Sequence, residues 1–546
     1  MVCSHARVLA ARQAWEKLDI GASSQTPGGD AWPSWFYTRC RPMQHAIECD
    51  IGDRVAKRVL VAIVVIYLVL GWLYATATPA WQVPDEPAHY NYVKYVAENR
   101  RLPELRPGDY PHQYLEEIKR RRFPEDMSIE PIRYESHQPP LYYLLAAFAY
   151  RIGSSLPGLP MPLGLRILSL VLGAISLVLS YKLVHAIYPQ EPGLALGTAA
   201  FAATLPMHLA MTAAVNNDVL TELLLTLIVW QLVRMKGDEW TARKALGLGV
   251  MLGLAFLTKM QSYPAFAVAL VALVWDVGHV HRWRSRAAWW TIVTRGAIMF
   301  GAALLVALPW LVRNAAIYGP GDLLGLARHD QVVVGQLTAR QYVAENGLAA
   351  LLRAFVVTTF QSFWGQFGWM GVVLHSRFYV AWALLSGLSL IGLATYLVRS
   401  LRGARRVASH LKRGLALLLV WAALTTLGYA WYNLKYVQHQ GRYLFPALVP
   451  WGLAFTLGLR EILRHSTPIA TATTAVLALG LAVWGLLTGD FHEFSLLMLA
   501  IVLLWLIAGH RLERRQPGAA MGLVYLGMAA VSVACLYLYV VPGLRP

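Results

Sequence analysis

The run LYYLLAAFAYRI, residues 141–152, is apolar for only about a dozen residues, and the architecture of the chain turns on how it is read. A hydrocarbon core roughly 30 Å thick needs about 20 apolar residues of helix to cross it. Leu141–Ile152 is therefore expected to lie in the interface or to re-enter, without crossing. The first full-length run is Ala56–Thr78, with Arg54, Lys57 and Arg58 at its start. Positive residues at that end place the N-terminus in the cytoplasm.

The choice at Leu141–Ile152 can be checked by parity. Leaving it out of the count gives further spans near 163–187, 193–215, 218–235, 243–258, 262–279 and 289–312, then 378–398, 414–434, 443–460, 468–488, 494–510 and 520–541. The cytoplasmic loops then hold Arg234, Lys236, Arg243 and Lys244, and next Arg282, Arg284 and Arg286. Later ones hold Arg399, Arg402, Arg405, Arg406, Lys412 and Arg413, then Arg460 and Arg464, then Arg511, Arg514 and Arg515. Counting it as a span turns every one of these loops outward, against the positive-inside bias. The basic Lys119–Arg122 falls in the first outer loop, and loops longer than about sixty residues escape that rule. Leu351–Val373, apolar but rich in Gly and Trp, is assigned to a second outer loop, 313–377. The expectation is an all-α polytopic membrane protein with about thirteen transmembrane helices, its C-terminus outside the cytoplasm. A long first extracytoplasmic loop, 79–162, would carry short interfacial helices. Residues 1–53 are polar, irregular and without the apolar core of a signal peptide, and are expected to be a disordered cytoplasmic tail before one membrane domain, 54–546.

Composition agrees. The 546 residues are 57% hydrophobic and 14% charged, too little charge for a soluble chain of this length. The net charge of +18 would suggest nucleic acid in a soluble protein, but here most of the excess lies in the short loops between spans. It is therefore read as topology, with the bilayer and not nucleic acid as the partner. The four cysteines show no metal-binding spacing and imply no disulfide framework.

Residues able to do chemistry gather on the predicted outer face. The first loop opens QVPDEPAHYNYVKYVAENRRLP (82–103) and closes YESHQPPLYY (134–143). Asp85 and Glu86 follow the first span, and His89 lies four residues after Asp85, on the same face if both are helical. An Asp before a Pro-started helix is also an ordinary capping arrangement. Asp218 follows Asn216-Asn217 at the outer end of the third predicted span, and Glu222 is one turn further on. A carboxylate in a span usually faces an interior cavity. Capping explains Asp218 as well as function does. The cations Lys259 (in LTKMQSY), Arg313 and Arg442 (in HQGRYLFP) and the polar pair His137-Gln138 fall on this face too. Each alone reads more readily as an interfacial anchor; together they suggest a place for an anion. His208 is read as packing.

The series PDEPAHY, HQPPLYY, VNND, LTK, FWGQFGW and QGRYLFP, spread over about residues 57–460, resembles the C-type (GT-C) membrane glycosyltransferases that use polyprenyl-phosphate sugars. It is most similar to the branch of the protein O-mannosyltransferases and the lipid A aminoarabinose transferase, and to related bacterial membrane proteins. The resemblance implies a GT-C-like fold in the plasma (inner) membrane. It also implies transfer of a sugar from a polyprenyl-phosphate donor to a glycan, lipid or protein acceptor on the outer face, usually with inversion. By that resemblance Asp85 would be the general base, Asp218 the second acid, and Lys259 and Arg442 the phosphate contacts, with Glu86 beside Asp85 in the catalytic set. His89, His137, Gln138, Glu222 and Arg313 complete the candidate substrate-binding residues. A departure is the segment His137-Gln138-Pro139-Pro140, where the aminoarabinose transferases carry a lysine. Phosphate binding by that segment, and the acceptor class, stay open. The chemistry requires no cofactor, although the carboxylates could instead hold a divalent metal. Two rival readings are a transporter or flippase of lipid-linked saccharides, which should show paired broken helices near the midplane, and a glycan ligase or polymerase using a diphosphate-linked donor.

Overall fold

The computed structural model describes residues 34–545 apart from 159, 236–238, 282–284 and 403–408, with side chains from residue 54 onward, 280 and 281 excepted. Residues 1–33 of the tail expected to be disordered fall outside the described residues, as do the predicted loop cations Lys236, Arg282, Arg284, Arg405 and Arg406, whereas 34–53 form the start of helix Ser34–Ala77 and not irregular chain. The chain divides into Met1–Ala62, whose described part is the start of the first helix, and Ile63–Pro546, which holds everything below.

The protein is an all-α, multi-pass membrane protein. Among the described residues nine helices are long and apolar enough to cross a membrane, or ten with one bent pair counted as a span. The expected count of about thirteen differs for three physical reasons. Spans near 443–460 and 468–488 run together in one 48-residue helical stretch, Gly441–Thr488. The helices Asp218–Arg234 and Ala242–Phe256 have 17 and 15 residues, at and just below the lower end of the usual crossing length. The run near 193–215 is broken into Pro192–Thr204 and Pro206–Thr212, bent by 69°, because Pro206 supplies no backbone donor and pushes Leu205 to an extended ψ of 117°. Leu141–Ser154 is a helix of only 14 residues, and its first N–H donates to the Leu257 carbonyl at 2.9 Å.

The buried core of the helical body is aromatic, with Tyr67, Phe201, Trp364, Trp382 and Phe455 in one cluster and the rings of Trp364 and Trp382 stacked at 4.3 Å. The first loop carries a small core of its own. Ala88 of helix Glu86–Asn99, Leu115 and Ile118 of helix His112–Arg120, and Phe123, Ile132 and Tyr134 pack together there, with Val333 from the later loop. That core fixes the loop as a folded cap, so the side chains it presents have defined positions.

One buried ion pair ties the cap to the body. Arg166 of helix Met161–Ile187 donates to Glu86 Oε1 at 2.7 Å and Oε2 at 2.6 Å, and to the carbonyls of Ala75 and Thr78 at 2.8 Å each. Glu86 is fully buried and also accepts the backbone N–H groups of Trp81 at 3.0 Å and Val215 at 3.2 Å. Removing one partner of such a pair leaves an uncompensated buried charge, at a cost of about 3–5 kcal/mol. Arg166→Ala is therefore expected to lower the thermal midpoint of the detergent-purified protein sharply, and Arg166→Met with Glu86→Met to recover much of the loss.

Candidate active site

The stretch Val83–Asp85 leaves the first helix and meets helix Glu86–Asn99 at a left-handed residue: Asp85 has φ 68°. Such a conformation is unusual for a residue with a side chain, and here it serves orientation. The Asp85 carboxylate makes no capping bond to the helix it precedes. One oxygen accepts the Tyr134 hydroxyl at 2.7 Å and the other a guanidinium N–H of Arg442 at 2.7 Å. The ordinary capping role thus does not account for Asp85. Burial pushes its carboxyl up, but the Arg442 and His89 charges and the bonds from Arg442 and Tyr134 outweigh that and hold it at about 2.

Arg442 arrives on the 3₁₀ segment Gly441–Ala447. Gly441 is required there, since a Cβ would stand 2.4 Å from both the Phe363 nitrogen and the Thr359 carbonyl oxygen. The Gly441 N–H donates to Ser362 Oγ at 2.7 Å, so the arginine is positioned by backbone packed against helix Leu348–Trp364. Arg442 also donates to Gln440 Oε1 at 2.7 Å and lies over the Tyr443 ring.

A second acid–base pair forms alongside. Asp218 opens helix Asp218–Arg234 and its carboxylate meets Lys259 Nζ at 2.6 Å. Lys259 sits in extended backbone after helix Ala242–Phe256. The carboxylates of the two pairs are 26% and 22% exposed, against 6% and 15% for Arg442 and Lys259. Both acids therefore keep an edge toward open space while their cations are held behind them. His89 lies between them: its Nδ1 faces the Tyr143 hydroxyl at 2.8 Å, and burial holds its ring below the usual histidine range against the opposing fields of Glu135, Asp85 and Asp218.

The other candidates divide. Gln138 reaches the site, with its side-chain oxygen 3.5 Å from Asn217 Nδ2. His137 is turned away: its ring nitrogen faces the Tyr134 carbonyl at 3.0 Å and its ring packs on His329 at 4.6 Å, where burial drives both rings down to about 4. Arg313 bonds Asn314 and the Pro103 carbonyl and lies over Trp310; among the described residues it pairs with no carboxylate. Glu86 points into its pair with Arg166, away from the exposed edge. Glu222 is not beside Lys259; it meets His208 Nε2 at 3.0 Å, while the other ring nitrogen of His208 faces the Ala202 carbonyl. His208 is thus more than packing: it braces the bent pair of helices against Asp218–Arg234. Three groups escaped the sequence reading: Tyr134, Glu135 and Arg166. For Arg166 the signal was there, a lone charge inside an apolar run. Among the described residues no group of three His, Cys, Asp or Glu is placed to hold a metal ion.

The fold that holds these two acids, each backed by a cation, is similar to that of solved C-type membrane glycosyltransferases. Residues 137–311 match the family model described as dolichyl-phosphate-mannose-protein mannosyltransferase. Among solved structures, the chain is similar to ArnT from Cupriavidus metallidurans bound to undecaprenyl phosphate, at 13% identity and a TM-score of 0.50, over 87% of this chain and 76% of that one. The apo form of the same ArnT gives 13% identity and a TM-score of 0.51, over 88% and 77%. A search of curated protein sequences returns no match.

Proposed function

We propose that this chain is a glycosyltransferase that moves a sugar from a polyprenyl-phosphate carrier to a hydroxyl-bearing acceptor on the extracytoplasmic face, with inversion at the anomeric carbon. The observation that carries the reading is the pairing of Asp85 with Arg442 and Asp218 with Lys259 at one exposed edge. The ArnT structure with undecaprenyl phosphate supports the donor class.

In this reading Asp85 takes the proton of the acceptor hydroxyl as its oxygen bonds to the anomeric carbon. The bond from that carbon to the phosphate oxygen breaks, and the carrier leaves as a phosphate bearing one more negative charge. Lys259 and Arg442 receive that charge. Asp218 stabilises the cation-like sugar and keeps Lys259 in place. Arg442 has two calls on it, the Asp85 carboxylate and the incoming phosphate. When phosphate draws on the guanidinium, Asp85 loses part of its counter-charge and its burial makes it a stronger base. Donor binding thus prepares the proton acceptor. Glu86 belongs to the scaffold in this scheme, through Arg166.

Incubating the purified protein with undecaprenyl-phosphate mannose, glucose or galactose and a membrane extract as acceptor source should release free undecaprenyl phosphate with at least one donor. Release with none of them, alongside unaltered carrier binding, would overturn the proposal. The N-terminus lies in the cytoplasm and the site outside. Reporter fusions after residues 155 and 285 should then read outside and inside respectively.

A further inference from the structure

Two acceptors at this site have no partner. Glu135 Oε2 and Asn217 Oδ1 are buried atoms without a hydrogen-bond donor among the described residues. Leaving an acceptor so is costly, and more so when it is charged. The Asn217 side chain is fully buried. Its orientation is set by its other end, where Nδ2 faces the Thr258 carbonyl at 3.3 Å, a group that can only accept. The oxygen therefore points the other way. Nδ2 also lies 3.5 Å from Gln138 Oε1, and the Gln138 N–H donates to the Glu135 carbonyl at 2.9 Å. Both residues that carry an unpartnered acceptor thus border Gln138. Asn217 directly precedes Asp218 in the chain, and the Glu135 carboxyl lies in the fields of His89, Asp85 and Lys259.

We propose that Glu135 and Asn217 read the transferred sugar, each accepting a hydrogen bond from a hydroxyl of the hexose on the lipid-linked donor. The inference rests on the function proposed above. A phosphate at this point is excluded by chemistry: its oxygens offer no donor and Glu135 repels them. A sugar hydroxyl donates, is neutral, and must be close to the anomeric carbon that Asp85 serves. A site built to hydrogen-bond a hydroxyl also rejects analogues that lack it, because its own acceptors are then left buried and unsatisfied. Glu135 lies next to Tyr134, which bonds Asp85, so the group that reads the sugar and the group that orients the base share one short segment.

The test compares bare undecaprenyl phosphate with its mannose, glucose and galactose derivatives as ligands of the full-length protein in detergent. Wild type should bind one sugar-bearing lipid more tightly than the bare carrier. Glu135→Gln should weaken that lipid about tenfold or more and leave the bare carrier within twofold, which also reports that the variant is folded. Glu135→Asp, which keeps the charge but withdraws the oxygen, should show the same split if the glutamine variant is unstable. Retention of wild-type sugar preference by either variant overturns the inference and leaves the proposed function standing. Equal binding of all four lipids by wild type overturns both.

Discussion

Replacing Asp85 with asparagine is expected to lower kcat for sugar transfer by about 10²–10⁴-fold while carrier binding is kept or tightened. The amide cannot take the acceptor proton, so the chemical step fails. It also releases Arg442, whose guanidinium now meets Asp85 at 2.7 Å, and a freed cation binds phosphate better. The two effects oppose each other only in a protein where the same arginine serves base and leaving group. Single-turnover kinetics with a sugar-bearing undecaprenyl phosphate, together with equilibrium binding of the bare carrier, separate them. Full transfer by the asparagine variant would remove Asp85 from the chemistry. Carrier affinity weakened as much as kcat would make its role structural.

The second large effect is expected at Arg442, and it is a pH effect as well as a loss of binding. With Arg442 in place the Asp85 carboxyl sits at about 2. A depressed acid is ionised above that value, so protonation of Asp85 does not limit the free enzyme at any pH the protein would meet. Arg442→Gln removes the largest opposing charge and leaves burial, which raises the carboxyl. The acid limb of the kcat/KM profile should then move up by at least about one unit, with activity lost sooner as pH falls. The KM for donor should rise about 10²-fold, in line with truncating one partner of a desolvated charge pair. An Arg442→Gln enzyme with raised KM but an unmoved acid limb would separate the arginine from the base. The same pair contributes to stability above the unfolded carboxylate range and loses that contribution as pH falls toward 2.

The sequence made the membrane class plain because hydrophobic length is a local property: twenty apolar residues in a row cannot be hidden. It also put Asp85, Asp218, Lys259 and Arg442 among the candidates, since charges at the ends of apolar runs stand out, and the structure joins them in two ion pairs. What it could not carry was pairing. Glu86 and Asp85 are neighbours in the chain, yet a left-handed backbone at Asp85 turns one carboxylate to the exposed edge and the other into the body, toward an arginine 80 residues away. Equally, Glu222 is one helical turn from Asp218, but the bend at Leu205 brings His208 to it before Lys259 can reach. The span count differs where length is not local: one helical stretch of 48 residues reads as two hydrophobic peaks. Glu135 was overlooked because nothing in the string YESHQPP shows which of its polar atoms will be left without a donor.

The contact at Gly441 has a mechanical meaning. With no room for even one carbon between this backbone and that of Thr359 and Phe363, the segment bearing Arg442 and the helix Leu348–Trp364 can shift only as a single piece. A tilt of that helix would carry the guanidinium with it. The cation's grip on its anion is thereby geared to the tilt of one helix.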